Sequence, residues 1–290
     1  MLSTWNLLIL FLTVYIAYKF WDRFEPESIK GKRVVITGAS TGIGEQIAYS
    51  YAKHGARILI TARRENVLQQ VTKKCMELGA EEAHYISLDM SNMNHTKKLI
   101  DEAEKLFHGL DHLVLNHMTV NYLALWEGDL DVLDRYYTVN VKAYVSLATH
   151  ALPLLKKTNG SIAVMSSLAG IVSVPYSSAY CASKSALIGF FESLRHEFAL
   201  QDINVSITIC IIGSIQTENV LKFTEGILDP YLFMTSAEDT AERVMKGTSL
   251  REREVYYPYY QTWPTVVLRT LYPTSLDWIF KYIYPHAGKS

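Results

Sequence analysis

Tyr180 and Lys184 stand four residues apart in a stretch, Ser177 to Phe198, whose apolar residues recur at helical spacing, so the two side chains share a face. A free phenol has a pKa of about 10 and is a poor base near neutrality. An ammonium beside it stabilises the phenolate and lowers that pKa, which makes proton exchange with a substrate hydroxyl feasible. Ser167, thirteen residues earlier at the end of the preceding strand, is placed to hydrogen-bond the same substrate oxygen and stabilise charge developing there. In a tyrosine-rich chain the pair by itself is weak evidence and is better described as a core tyrosine and a surface lysine. The residues upstream change its weight.

Directly after the first apolar run come Thr37, Gly38, Ala39, Ser40, Thr41, Gly42, Ile43 and Gly44. Glycines spaced in this way permit positive φ and let backbone amides approach a pyrophosphate, which a helix N-terminus also favours. After the second strand an NAD enzyme places an acid to accept from the ribose hydroxyls. Here Arg63 and Arg64 stand instead, guanidinium groups that suit a 2′-phosphate and favour NADP(H), although a solvated helix start would use the same residues. Asp89, with Met90 beside it, follows the third strand where the adenine edge would lie. Asn116 follows the fourth, where it would bridge strands beside the cofactor; each of the two polar residues also suits an ordinary loop cap.

The elements that must position these residues alternate. Strands are predicted at Lys32 to Thr37, Arg57 to Thr61, Ala83 to Ser87, Leu110 to Leu115, Ile162 to Ser166 and Asn204 to Ile211. Helices are predicted at Ile43 to His54, Glu65 to Leu78, Asn94 to Phe107, Asp131 to Lys157 with a kink at Pro153, and Ser177 to Phe198. That order implies an α/β fold, a Rossmann-type doubly wound parallel sheet with right-handed crossovers. A single domain over residues 25–258 is expected, with a hydrophobic segment at 1–24 and an aromatic-rich helical arm at 259–290 that would contact a dimer mate, the domain or a membrane.

The 290 residues carry a net charge of -1 and no long like-charge run, which argues against nucleic acid as a partner. Cys75, Cys181 and Cys210 are scattered and read as packing residues rather than a disulfide or zinc framework. His108 and His112 lack the glutamate of a zinc motif and have Gly109 between them, so no metal site is expected. Leu2 to Tyr18 is uncharged and apolar, at the short end of what crosses a bilayer, and bulky residues around Ala17 favour an uncleaved anchor over a removed signal peptide, which would leave the body secreted. Lys19, Arg23, Lys30, Lys32 and Arg33 argue for a cytosolic body, whereas sequons at Asn94, Asn159 and Asn204 have meaning only in a lumenal one.

With the glycine turn, Asn116, Asn140, Ser167, Tyr180 and Lys184 all in this order, the chain resembles the short-chain dehydrogenase/reductase family over roughly residues 31–257. The resemblance implies a catalytic set of Asn140, Ser167, Tyr180 and Lys184, in which Asn140 helps to hold the lysine and a relay water and Lys184 also binds the nicotinamide ribose. It further implies that Ile215 and Thr217, after the sixth strand, contact the cofactor. Within the family the chain is most similar to the type 1 and type 1-like 11β-hydroxysteroid dehydrogenase branch, on Leu115-Asn116-His117, Ser166 to Gly170, Asn204-Val205-Ser206 and Glu254 to Tyr257. That similarity implies NADP(H), a glucocorticoid-type steroid or another small hydrophobic alcohol or ketone, a homodimer, and an endoplasmic-reticulum membrane anchor with a lumenal body. Ser214 and Tyr176, candidate substrate contacts, depart from the branch pattern and are where another lipid would be distinguished.

Overall fold

The computed structural model describes residues 5, 6, 13, 23–119, 123–218, 220 and 234–284. The expected N-terminal anchor falls almost wholly outside the described residues, and among them no helix is long and apolar enough to cross a membrane.

A single helical turn at Pro26–Ile29 leads into β1 (Arg33–Thr37), α1 (Gly42–Lys53), β2 (Arg57–Ala62), α2 (Glu65–Leu78), β3 (Glu82–Ser87), α3 (Met93–Phe107) and β4 (His112–Leu115). There follow α4 (Leu130–Tyr136), a π-helical segment at Tyr137–Lys142, α5 (Ala143–Thr158), β5 (Ser161–Met165), α6 (Ser178–Leu200) and β6 (Ser206–Ile212). The short pair β7 (Ile215–Gln216) and β8 (Thr235–Ser236), then α7 (Ala237–Ser249), β9 (Glu254–Tyr257), α8 (Tyr259–Leu271) and α9 (Pro273–Ile283) complete the described chain.

Seven strands form one sheet in the order β3-β2-β1-β4-β5-β6-β9, every pair parallel. Side chains alternate across it, as strand geometry requires. Val35, Leu59, Leu113, Val164 and Ile209 face one core with α3, α5 and α6, while Val34, Ile58, Val114, Met165 and Cys210 face the other with α1, α2 and α7. With helices on both faces the strands are buried on both, which is why they read as continuous β-branched runs. The chain winds outward from β1 in one direction and from β4 in the other, so the C-terminal ends of these two neighbours open a crevice where such sheets bind ligands.

Three features differ from the sequence-based expectation. The predicted Asp131 to Lys157 helix is broken earlier than at Pro153: α5 runs through the proline to Thr158, and the irregularity lies at Tyr137–Lys142, where the Ala143 N–H reaches five residues back to the Thr138 carbonyl. A seventh strand, β9, sits at the sheet edge, too short at four residues to announce itself by alternation. Helix α7, also missed, is amphipathic with a Ser236 cap that accepts from Asp239 N. The three cysteines are buried and free.

Candidate active site

The turn after β1 is shaped by what its glycines exclude. A Cβ on Gly38, whose φ is +67°, would lie 2.7 Å from His117 Cα, and one on Gly44 would lie 2.3 Å from both the Gly38 carbonyl oxygen and Asn116 Nδ2. Gly42 also has positive φ, +64°, and its missing side chain faces the Thr217 methyl. Asn116 fastens the turn to β4: its side-chain amide donates to the carbonyls of Thr37 (3.2 Å) and Gly38 (3.1 Å), and its backbone N–H to Thr37 Oγ1 (3.0 Å). The bare backbone at the start of α1 thus packs so closely on Asn116 and His117 that side chains at Gly38 and Gly44 would clash, and its exposed amides at a helix N-terminus fit a dinucleotide pyrophosphate.

Further along the cleft, Arg64 Nη2 donates to the hydroxyls of Ser40 and Thr41, each at 3.2 Å. Asp89 is held below the usual carboxylate range, first by the Ser91 N–H on its carboxylate at 2.9 Å, with the nearby Arg63 charge helping. Met90 is buried in the same wall, and Ile43, Ile215 and Thr217 line it from the opposite side.

At the centre of the cleft, Ser167 lies at the N-terminus of a short turn after β5, its hydroxyl donating to the Ile212 carbonyl at 3.3 Å and bonding the Tyr180 phenol. Tyr180, on the first turn of α6, is partly buried, its ring 6.4 Å from that of Tyr136. Lys184, one turn on, is 2% exposed; its ammonium donates to the Met165 carbonyl at 2.7 Å and sits 5.7 Å from the ring centres of both Tyr180 and Tyr144. Asn140, in the π segment, accepts from Thr119 N at 2.9 Å and donates to Ser183 Oγ at 3.2 Å, and Ser183 donates to the Tyr180 carbonyl at 2.8 Å. Asn140 therefore reaches the Tyr180–Lys184 helix through Ser183.

The pKa shifts run differently from the sequence-based expectation. Burial raises Tyr180, opposed by the Ser167 hydrogen bond, and drives Lys184 down to about 7. Desolvation is the largest cause at both groups.

At the far end of the cleft the wall comes from the C-terminal arm. The arm folds back over the cleft: Gln261, Thr265 and Leu268 of α8 and Leu276, Ile279 and Phe280 of α9 form its roof. Gln261 Oε1 accepts from Ser214 N at 2.7 Å and fills the notch left by Gly213. Ser214 lines the cleft, but Tyr176 does not; its ring packs 5.8 Å from that of Tyr284, and it is Tyr284 that faces the cavity. The cleft encloses about 2140 Å³. A single small-ligand pocket takes about 300–1,000 Å³, so there is room for a dinucleotide and a second molecule together.

A family model described as short chain dehydrogenase matches residues 32–227. Hydroxysteroid 11-beta-dehydrogenase 1-like protein A of Xenopus laevis is 44% identical over 272 residues, 92% of this chain and 93% of its own. The 1-like protein of Gallus gallus is 46% identical over 249 residues, 86% of each chain. Among solved structures, a short chain dehydrogenase/reductase from Burkholderia phymatum in complex with NAD superposes with a TM-score of 0.77 at 21% identity, over 86% of this chain and 96% of that one, a likeness of fold. Matched through most of its length, with the tyrosine, lysine and serine gathered at the centre of a cleft that begins at a glycine-rich turn, the chain belongs to the short-chain dehydrogenase family.

Proposed function

We propose that the protein is an NADP(H)-dependent hydroxysteroid dehydrogenase that interconverts a secondary hydroxyl and a ketone, with an 11β-hydroxy or 11-keto glucocorticoid of the cortisol and cortisone type as substrate. The observation that carries the chemistry is the convergence of Ser167, Tyr180 and Lys184 beside the glycine cradle. Arg63 and Arg64 favour a 2′-phosphate, since no acid stands at that position and Arg64 already reaches Ser40 and Thr41 at the cradle. The apolar roof and the 1-like relatives, named for hydroxysteroids, support a rigid hydrophobic substrate.

When bound, the nicotinamide supplies or accepts the hydride. The Tyr180 phenol gives its proton to the substrate oxygen in reduction and takes it back in oxidation. Ser167 donates to that oxygen and orients it, and the Lys184 ammonium offsets charge on the phenolate while holding the ribose. Asn140 supports the lysine and its relay water from the π segment. Oxidation of cortisol with NADP+ and reduction of cortisone with NADPH, each compared with Tyr180→Phe, test this. Turnover that falls about 10³-fold in the variant is expected; an unchanged rate in the variant rejects the tyrosine mechanism. An active enzyme that turns over only a retinoid, another steroid or a sphingoid ketone rejects the glucocorticoid, and NADPH binding without turnover of any of these supports a non-catalytic NADP-binding protein.

An endoplasmic-reticulum location, with the N-terminal segment in the membrane and the body lumenal, forms part of the proposal, as does a homodimer. The three sequon asparagines, Asn94, Asn159 and Asn204, are all exposed, as glycan acceptors must be. A mass shift on endoglycosidase treatment supports the lumenal body; protease exposure in sealed microsomes overturns it, and a shortened mature chain points to secretion. A monomer mass by light scattering rejects the dimer.

A further inference from the structure

His117, next to Asn116 at the end of β4, is 7% exposed and has no role in the chemistry above. Both ring nitrogens are engaged: Nδ1 lies 2.8 Å from Thr37 Oγ1 and Nε2 lies 3.0 Å from the Val139 carbonyl oxygen. A carbonyl only accepts, so Nε2 carries the hydrogen and Nδ1 accepts from the Thr37 hydroxyl. Thr37 Oγ1 in turn accepts from the backbone N–H groups of Asn116 (3.0 Å) and His117 (3.2 Å), and its one proton has two acceptors within reach, the ring at 2.8 Å and the Val114 carbonyl at 3.3 Å, of which the ring is the nearer. Burial pushes the imidazole down to about 3, so the ring is neutral near pH 7.

The partners are as telling as the tautomer. Val139 lies in the π segment and precedes Asn140, in a widened turn whose backbone departs from the regular ladder. Tyr144, one turn on, donates its phenol to the His117 carbonyl at 2.8 Å, packs its ring 4.6 Å from the imidazole, and has the Lys184 ammonium 5.7 Å from its own ring centre. We propose that His117 is a positioning residue, a neutral clamp from β1 through the end of β4 to the π segment that holds Asn140 and Tyr144 in register around Lys184. The role presupposes the dehydrogenase function proposed above.

Two variants of the full-length protein separate the clamp from simple packing. His117→Gln keeps an N–H donor at the reach of Nε2; His117→Asn keeps a polar group only at the reach of Nδ1. With His117→Asn, kcat is expected to fall about tenfold or more, while KM and the NADPH dissociation constant change less than about threefold; His117→Gln is expected to recover most of the loss. Amide exchange over residues 139–144 is expected to quicken in the Asn variant and not in the Gln variant. Equal kcat in the two, or a loss confined to KM or to NADPH binding, overturns the proposal. Should the Asn variant not fold, Thr37→Val, which deletes the hydroxyl, and Thr37→Ser, which keeps it, provide the same contrast, and a Val variant with wild-type kcat overturns it equally. An inactive wild-type protein refutes the dehydrogenase function; the exchange comparison then decides the clamp alone, and equal exchange in the Gln and Asn variants rejects it.

Discussion

The two ends of the cleft are built on different principles. At the cofactor end the walls are backbone, and the tolerances are those of atoms in contact: a methyl group at Gly44 would sit 2.3 Å from two neighbours. These walls come from the opening βαβ units, where β1 and β4 register the turn directly against Asn116. At the substrate end the walls are side chains from distant stretches, the β6 end and the arm, joined by the Gln261–Ser214 hydrogen bond and the Tyr176–Tyr284 ring contact. Trp263, Trp278, Tyr272 and Tyr282 of the arm are exposed. Recognition by backbone cannot be altered without moving the sheet, whereas recognition by an appended arm can change one side chain at a time.

That contrast can be broken by exchanging the expected effects of substitutions at the two ends. Gly44→Val is expected to weaken NADPH binding by about 100-fold or more, measured by nicotinamide fluorescence, because the added atoms meet backbone and a fixed amide. Retained affinity would show that the cradle is not the cofactor site. Replacing Arg63 and Arg64 together by Ser should cost about 10- to 100-fold in the proposed preference for NADP over NAD, read from the two kcat/KM values, with the KM of the alcohol or ketone substrate unchanged. Gln261→Leu acts at the other end: it leaves Ser214 N without its acceptor and loosens the roof, so the substrate KM should rise about 5- to 10-fold while NADPH affinity holds. A matching loss of NADPH affinity would erase the distinction between the ends.

The smallest effect is on stability, and it is found where the two ends meet. Lys184 has its pKa lowered by burial from the ordinary 10.5 to about 7. Between these values the unfolded chain binds a proton that the native chain does not, so stability rises with pH there, and below pH 7 the full cost of a buried ammonium is felt. Lys184→Met removes that dependence. Its melting temperature relative to wild type should therefore be most favourable near pH 6 and decline by roughly 5 °C towards pH 10; a pH-independent difference would mean that the amine is not desolvated.

Much of the cofactor end was legible in the sequence, because its determinants are local. Gly38, Gly42 and Gly44 lie within seven residues, in the turn after β1 and the first turn of α1, and a helix period puts Tyr180 and Lys184 on one face. The Asp131 to Lys157 pattern concealed the π segment, since apolar periodicity averages over a one-residue widening. The relation of Asn140 to Ser183, and that of His117 to Val139, link positions 43 and 22 residues apart, and no spacing rule connects such pairs. In the sequence Tyr176 is a candidate substrate contact from its place beside Pro175 in the branch pattern; its ring instead meets that of Tyr284, more than a hundred residues on.

Residue types and order by themselves determined the parallel sheet, the glycine cradle and the serine, tyrosine and lysine set, because these follow from strand and helix periods and from steric limits acting within a few residues. Only the tertiary structure decided that the C-terminal arm closes over the substrate end, that desolvation is the largest cause of the Tyr180 shift, and that a buried histidine ties the first strand to the π segment. These depend on which surfaces meet and how much water they exclude, quantities set by packing between segments that the chain brings together only when folded.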